Sequence, residues 1–424
     1  MIRQIQCALC AVWCALCGAT ATLSAQPNPS RLAVPGAGLR VYLITVGQGD
    51  PVWEKFGHNA LWFFDDAAGI DEAYNWGIFD FNQPHFLKRF LTGDTKYWVD
   101  KYPGVPLMNY YEKADRSVEV QRLNFTPEQA ARAFTFARTN VREENRYYRY
   151  DYFRDNCSTR VRDVIDYALG GTLKRATAFT VTTLTYRSES VRLVDDLVLT
   201  QLGITTALGE PADRRLTLWE SMFIPMRMRD ILRQLRVPRA DGSMVTLVSE
   251  ERKLYESRAY HERASPRALW LPYLLVGLLL AAEFAAVGRL QDRASAVRRI
   301  FRIEVIAWSV ALGVLGIVLL LAWTSTRHVF WFRNENLLLL NPLSLWLAIL
   351  VMFSSRRPRF ARTAALLGVI VAALAVVALV LKVMPGTQHN GAEIALLLPA
   401  HLAIAFGLWR ARPRADVALV PTPS

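Results

Sequence analysis

The sequence predicts an α+β domain followed by an all-α bundle of five transmembrane helices. Residues 36–262 mix strand-like and helix-like patterns and contain no apolar run long enough to span a bilayer. From Ala268 onward, long apolar runs alternate with short polar connections. The first 25 residues combine a positive start, a short apolar core and the small residues "ATATLSA", a pattern typical of an export signal.

Export of the chain defines the predicted domain bounds. The signal would be cleaved after Ala21 or Ala25, and an uncleaved anchor is the alternative. The predicted units are a signal peptide (1–25), an outer, periplasmic domain (36–262), a membrane domain (266–410) and a cytoplasmic tail (411–424).

The distribution of charge predicts the topology. The five candidate spans are 268–288, 304–324, 336–354, 364–384 and 392–409. Three segments, "GRLQDRASAVRRIFR", "SRRPRFAR" and the tail beginning "RARPRA", are basic and are expected in the cytoplasm. The outer domain and the loops "STRHVFWFRNEN" and "PGTQHNGAE" then share the outer face of a bacterial inner membrane. This topology accounts for the net charge of +13, so nucleic acid is not a predicted partner.

Three strands and two helices are predicted in the outer domain. "LRVYLITVG", "HNALWFFDD" and "AYNWGIFDF" have strand patterns. "TPEQAARAFTFARTN" predicts a helix capped by Thr126, and "DNCSTRVRDVIDYALGG" predicts a second helix capped by Asp155 or Asn156. Gly170 and Gly171 would end the second helix.

Cys157 is the candidate nucleophile. The other four cysteines lie in the first 18 residues, so the exported domain has one thiol and no internal disulfide partner. A buried, inert thiol is the alternative. However, Cys157 falls in the first turn of its helix, where the helix dipole is expected to lower the thiol pKa. Arg160 and Arg162 would add positive charge nearby.

A thiol nucleophile needs a base, and the outer domain offers three histidines. His58 begins a strand directly after a glycine, which would leave its ring free to face a cleft. His85 lies near a predicted helix start, and His261 lies beside charged residues near the membrane junction, where a solvated surface residue is the simplest interpretation. Taken alone, His58 could equally be a structural histidine.

An ordered set of motifs resembles the Lnb-type lipoprotein N-acyltransferases. In the outer domain these are "KFGHNALWF", "AYNWGIFDF", "FLTGDTKYWV", "VEVQRLNFTPEQ", "RYYRYDYFRDNCSTRVRDVID" and "PADRRLTLWESMFIP". In the membrane half they are "STRHVFWFRNENLLLLNPLSL" and "QHNGAEIALLLP". The resemblance runs from about residue 38 to residue 409 in one register.

The resemblance implies a permuted papain-like fold, similar to that of NlpC-type and lecithin:retinol acyltransferase-like enzymes. It implies Cys157 as nucleophile and His58 as base. The residue that orients the imidazole would lie on the strand after the histidine strand, which favours Asn75 and, second, Asp80. The oxyanion would be bound by the backbone N–H of Cys157 and a further donor.

Polar residues at the ends of two spans form a candidate lipid site. By topology they lie on the same side of the membrane as the thiol, and arginine and amide side chains suit phosphate or acidic head groups. These residues are His328, Arg333, Asn334, Asn336, Gln388 and Asn390. Polar loops that only cap helices are the alternative. An interfacial aromatic belt is expected at Trp323, Phe330, Trp331 and Phe332.

Together these features predict a lipoprotein N-acyltransferase. An acyl chain would move from a membrane lipid through a Cys157 thioester to the N-terminal amine of a lipoprotein acceptor. A membrane-anchored periplasmic cysteine hydrolase, a peptidase or amidase of the NlpC-like class, is the alternative, and a non-catalytic transport or receptor protein is a third. No cofactor is expected, and no metal, because the histidines and cysteines lack ligand spacing.

Overall fold

The computed structural model describes residues 36–413. The predicted export signal, its four cysteines and most of the predicted cytoplasmic tail lie outside these residues. Within them, a sheet-containing domain precedes five apolar helices or helical segments long enough to cross a membrane. The predicted class, α+β followed by a five-helix membrane bundle, is confirmed.

A seven-stranded antiparallel sheet forms the centre of the N-terminal domain. The strands of the described residues are β1 (Arg40–Val46), β2 (His58–Asp65), β3 (Ile70–Ile78), β4 (Lys96–Tyr102), β5 (Val118–Leu123), β6 (Tyr147–Arg149), β7 (Val181–Thr185), β8 (Arg215–Thr217), β9 (Arg236–Pro238), β10 (Met244–Thr246) and β11 (Val248–Tyr255). The order in the large sheet is β11-β5-β1-β2-β3-β4-β6, and β7-β8 and β9-β10 form two small sheets. The three predicted strands are β1, β2 and β3.

Helices cover both faces of the sheet. The domain contains α1 (Phe86–Thr92), α2 (Gly104–Lys113), α3 (Pro127–Asn140), α4 (Cys157–Ala168), α5 (Thr172–Thr177), α6 (Tyr186–Leu193), α7 (Val198–Ala207), α8 (Leu218–Ser221) and α9 (Pro225–Gln234). Helices α3 and α4 pack on the face that carries Leu43, Leu61 and Trp76, and α2 packs on the opposite face. Strand residues point alternately to the two faces, so both are buried.

The two predicted helices of this domain are present with the predicted ends. Thr126 caps α3 and exchanges hydrogen bonds with Gln129 in a capping box. Asn156, not Asp155, caps α4. Helix α4 ends before Gly170 and Gly171, which both have positive φ.

The membrane domain contains α10 (Trp270–Leu290), α11 (Ser295–Ser325), α12 (Leu343–Phe353), α13 (Pro358–Val380) and α14 (Gly391–Arg410). Five candidate spans agree with the predicted number. The predicted continuous helix over 336–354 is wrong, because α12 begins only at Leu343. Its 11 residues extend about 16 Å, too short to cross alone. Short 3₁₀ turns complete the third span, which runs over Val329–Phe353.

The irregular part of the third span is accommodated by its neighbours. Pro342 lacks an N–H, and the Asn341 side chain accepts a hydrogen bond from the Leu343 N–H at 2.9 Å, which sets the start of α12. The carbonyl of Leu339 accepts from the His401 ring at 3.0 Å. Backbone groups at membrane depth must be paired inside the protein, so His401 has a structural role that sequence reasoning missed.

The N-terminal domain packs against the segment of the membrane domain that precedes α12. Phe330 is buried among Phe153, Tyr186 and Phe223 of the outer domain. The N–H of Gly209 donates to the Phe330 carbonyl at 2.7 Å. The expected interfacial belt is therefore wrong for Phe330, whose ring packs in the protein core. The contacts of Phe330 hold the outer domain against the helix bundle.

Candidate active site

Cys157 is the first residue of α4, and the sheet closely surrounds it. Asn156 caps the helix by accepting from the Thr159 N–H at 2.9 Å and donating to the carbonyls of Tyr152 and Phe223, each at 3.0 Å. A Cβ atom on Gly77 of β3 would lie 3.1 Å from the Cys157 Cβ atom. Cys157 is only 9% exposed, so its sulfur occupies a narrow site at the end of β3.

His58 and Asn75 are joined by a hydrogen bond between the His58 Nε2 atom and the Asn75 Oδ1 atom. Asn75 pairs with Ala60 in the β2–β3 register, so it lies diagonally across from His58 on the same face. The Asn75 Nδ2 atom donates to the Tyr111 hydroxyl at 3.3 Å. Because an amide oxygen only accepts, the His58 Nε2 atom carries the proton and Nδ1 remains an acceptor.

The first turn of α4 is tied to the start of β2. The side-chain amide of Asn59 lies 3.0 Å from the Ser158 hydroxyl, which donates to the Met222 carbonyl at 2.6 Å. The backbone N–H of Asn59 acts on the Cys157 thiol, so the sulfur lies beside the residue that follows His58. Among the described residues, no direct hydrogen bond joins the Cys157 and His58 side chains. Hydrogen bonds between catalytic groups are often long or absent before substrate binds.

The Cys157 thiol and the His58 imidazole are both neutral at pH 7. Burial raises the pKa of the Cys157 thiol to about 11, although neighbouring N–H groups and Arg116 act in the opposite direction. Burial and the charge of Arg116 lower the pKa of His58 to about 4. The expectation that the helix dipole would dominate the thiol pKa is therefore wrong, because desolvation of the sulfur is the larger effect.

Arg116 is the cation of the site, and sequence reasoning missed it. It is 4% exposed, donates to the Gly47 carbonyl at 3.1 and 3.0 Å, and lies 5.2 Å from the Tyr111 ring centre. Arg116 also pairs with Glu54 at 3.4 Å. Arg160 and Arg162, which were expected to act on the thiol, pair with Asp155 and Asp163 and are not among the causes of the Cys157 pKa shift. No local pattern distinguishes Arg116 from the chain's other arginines, because β5 brings it to the site only through sheet pairing.

Tyrosine hydroxyls also surround the thiol. Burial, with the Cys157 charge as a further cause, raises the pKa of Tyr97 to about 12 and that of Tyr148 well above its usual value. Burial is also the main cause that raises the pKa of Tyr111 to about 12. The Tyr148 hydroxyl is buried without a hydrogen-bond partner among the described residues. These O–H groups are protonated donors at pH 7, and they were not predicted as part of the site.

The remaining candidates of the outer domain lie elsewhere. Asp80 is exposed and accepts a hydrogen bond from the Asn82 N–H at 2.8 Å. His85 directly precedes α1, and His261 is exposed. The structure thus brings His58 and Asn75 together and leaves the alternatives in surface positions.

The amides of the predicted lipid site make hydrogen bonds within the protein. Asn334 and Asn336 both donate to the Thr206 carbonyl, at 2.9 and 3.1 Å. Gln388 donates to the Leu208 carbonyl at 3.0 Å, and Asn390 donates to Asn336 at 2.8 Å. Asn334, Asn336 and Gln388 therefore bond the carbonyl end of α7, where Arg187 also donates to the carbonyls of Thr205 and Leu208. Lipid binding by them stays a prediction.

His328 and Arg333 have different surroundings. The His328 ring donates to the Phe90 carbonyl at 2.9 Å and stacks on Trp331 at 4.3 Å. Arg333 is exposed, pairs with Glu210 at 3.7 Å, and lines a mainly apolar cleft of about 500 Å³ with Trp323, Leu337 and other residues. The other members of the predicted set are buried, so Arg333 is the one most open to a ligand.

The fold defines a class: a multi-pass bacterial membrane protein with an N-terminal α+β domain, in which Cys157 begins a helix and His58 begins a neighbouring strand. One family model, described as the Lnb N-terminal periplasmic domain, matches residues 25–190. A second, the Lnb transmembrane domain, matches residues 265–398. Together these matches cover most of the chain, which belongs to the Lnb family of lipoprotein N-acyltransferases.

No match was found among curated proteins or solved structures. The predicted permuted papain-like architecture therefore stays a prediction. The cysteine-bearing helix on an antiparallel sheet that supplies the histidine agrees with it in outline.

Proposed function

We propose that this protein transfers an acyl chain from a membrane lipid, through a thioester on Cys157, to the N-terminal amine of a lipoprotein in a bacterial inner membrane. The observation that carries the proposal is the joining of α4 and β2: Cys157 lies beside Asn59, and the preceding residue, His58, is hydrogen-bonded to Asn75. The packing of Phe330, from the third of five candidate spans, into this domain supports a membrane lipid as the donor.

The first half-reaction consumes the donor ester. The His58 Nδ1 atom takes the thiol proton while the Cys157 sulfur attacks the ester carbonyl. The tetrahedral oxyanion accepts hydrogen bonds from the Cys157 backbone N–H and from a tyrosine hydroxyl. Tyr148 is the proposed tyrosine, because its hydroxyl has no hydrogen-bond partner among the described residues. The C–O bond then breaks, the imidazolium gives its proton to the leaving oxygen, and a lyso-lipid departs.

The second half-reaction forms an amide. The α-amino group of the lipidated N-terminal cysteine attacks the thioester, and His58 accepts a proton from the nitrogen. The C–S bond breaks, and the thiol is restored by that proton. The charge of Arg116 stabilises the developing thiolate. The same charge keeps His58 free of a proton in the resting enzyme and disfavours the imidazolium that forms during transfer.

The positioning of His58 by Asn75 supports the same assignment. The amide oxygen holds the imidazole in the tautomer that can accept the thiol proton, and Tyr111 holds the amide in turn. Arg333, with the apolar cleft beside it, is proposed to contact the head group of the donor.

Trapping of the acyl-enzyme tests the proposal. The full-length protein in proteoliposomes is incubated with a phospholipid that carries an alkyne-tagged acyl chain, and the tag is detected on the protein. We expect a label that neutral hydroxylamine releases and that Cys157→Ser lacks. A hydroxylamine-resistant label, or one retained by Cys157→Ser, would exclude the thioester. Altered murein cross-links without protein labelling would instead favour a cysteine hydrolase.

A further inference from the structure

An exposed apolar surface borders the candidate site. Helix α1 has no buried residue, although four of its seven residues are large and apolar. Three of these, Leu87, Phe90 and Leu91, are 67%, 48% and 52% exposed. We call this surface the apolar shelf. It consists of the exposed residues Val52, Trp53, Phe81, Leu87, Phe90 and Leu91 and the half-buried rings of Phe79 and Phe86, which pack beneath them. Contiguous exposed apolar patches on folded proteins mark interaction sites.

The rings of the shelf form one continuous surface. Phe81 contacts Trp53 and Phe86, with ring centres 5.2 and 5.0 Å apart. Phe86 continues to Phe90, whose ring centre is 6.2 Å away. A helix that buries nothing within its own domain contributes little to folding, because helical stability in proteins comes from packing of the apolar face.

One end of the shelf meets the membrane domain. The His328 ring donates to the Phe90 carbonyl at 2.9 Å, and the Arg327 N–H donates to the Thr92 carbonyl at 2.9 Å. An ion pair of 3.1 Å joins Arg327 to Asp94. These residues directly precede the third candidate span, which begins at Val329. Helix α1 is therefore joined to the segment that leads into the third candidate span.

The other end of the shelf meets the thiol. Phe79 follows Gly77, which touches Cys157, by two residues. The Phe79 ring contacts Tyr97 with centres 5.0 Å apart, and Tyr97 is one of the tyrosines that face Cys157. Trp53 lies in the short turn that precedes His58. An apolar surface thus connects the outer edge of the membrane with the reacting sulfur.

We propose that the apolar shelf binds the acyl chain of the donor lipid and keeps it in contact with hydrocarbon while its ester reaches Cys157. This proposal rests on the proposed function and adds the surface that holds the chain. A lipid acyl chain is the occupant, because helix α1 is joined to the segment that leads into the third candidate span. The exposed Lys88 on the same helix adds a positive charge for lipid phosphates.

A matched pair of surface variants tests the proposal. Leu87→Glu changes the shelf, and Phe136→Glu changes an aromatic residue of α3 that is 37% exposed and contacts Tyr167 at the far end of α4. Acylation of Cys157 is measured with vesicles of long-chain phospholipid and, separately, with a water-soluble short-chain thioester. Both positions are exposed, so neither variant should unfold the domain.

We expect Leu87→Glu to lower acylation by the vesicle lipid about tenfold or more, since a carboxylate is strongly disfavoured in hydrocarbon. Acylation by the soluble thioester should stay within about twofold. Phe136→Glu should leave both rates unchanged. Equal rates for Leu87→Glu and wild type with vesicles would overturn the proposal, as would an equal loss with both substrates.

A second measurement does not depend on catalysis. The Cys157→Ser protein is reconstituted with a phospholipid that carries a diazirine in its acyl chain, irradiated, and mapped by peptide mass spectrometry. We expect adducts in residues 86–91, and none on Phe136 or Tyr167. Adducts on the spans but none on the shelf would overturn the proposal. Shelf adducts without any Cys157 acylation in wild type would remove the proposed function and leave the surface intact.

Discussion

Gly77→Ala tests the packing of the site against the thiol. Gly77 has φ +91°, and an added Cβ atom would lie 3.1 Å from the Cys157 Cβ atom. A non-glycine residue at such φ costs about 1–3 kcal/mol. The Cys157 Cβ atom is fixed in the first turn of α4, so the cysteine must move by a few tenths of an ångström. Misplacement of a reacting atom on this scale is expected to slow acylation about tenfold to a hundredfold.

Gly69→Ala is the matched control. Gly69 also has positive φ, at +63°, but a Cβ atom there would meet nothing within 4 Å. Both variants should therefore lose a similar free energy of unfolding, measured by thermal unfolding in detergent, while only Gly77→Ala loses acylation rate. The rate is followed as hydroxylamine-sensitive label on Cys157. A Gly77→Ala rate within about twofold of Gly69→Ala would refute the stated contact between β3 and the thiol.

The remaining predictions concern the base, the cation and the domain junction. Asn75→Ala should slow acylation about tenfold to a hundredfold, because His58 loses its orienting partner; an unchanged rate would exclude that role. His58 acts unprotonated, so kcat/KM should fall as the pH drops through about 4. Arg116→Gln should shift this acidic limb of the pH profile to higher pH, and Arg116→Lys should restore it. An acidic limb that does not move in Arg116→Gln would contradict the charge effect assigned to Arg116. At Gly209 a Cβ atom would lie 1.9 Å from the Phe332 carbonyl oxygen, so Gly209→Ala should lower the melting temperature by about 5 °C. Gly203→Ala, which meets nothing within 4 Å, should not lower it.

Local sequence patterns were sufficient for the elements that carry the proposed reacting residues. The apolar spacing and caps of α3 and α4, and the alternation in β2, each depend on one segment only. Cys157 is the single thiol of the predicted exported domain, whereas the assignment of His58 as the base came from the resemblance to the Lnb family. The same local reasoning gave five spans, because hydropathy alone measures each of them.

The surroundings of the thiol could not be predicted in this way. Arg116, Tyr97 and Tyr148 reach the site through the pairing of strands that are distant in sequence, and single-segment patterns carry no information on that pairing. The predicted direction of the Cys157 pKa shift is wrong for the same reason. The sequence indicates the dipole of α4, but it does not show that β3 buries the sulfur.

The amides at the ends of the third and fifth spans illustrate a related limit. Their polarity indicated a binding role, but Asn336 and Gln388 make hydrogen bonds to carbonyls of α7 and the residue after it. A sequence cannot distinguish an amide that awaits a ligand from one that caps a helix, since both need the same donors and acceptors.

The most direct test of the account is the mass of a lipoprotein's N-terminal peptide in cells that contain the wild-type protein, Cys157→Ser, or neither. The account predicts one added amide-linked acyl chain on the α-amino group with wild type alone, and the unmodified amine in the other two. The same added acyl chain with Cys157→Ser, or an unmodified amine with wild type, would contradict it.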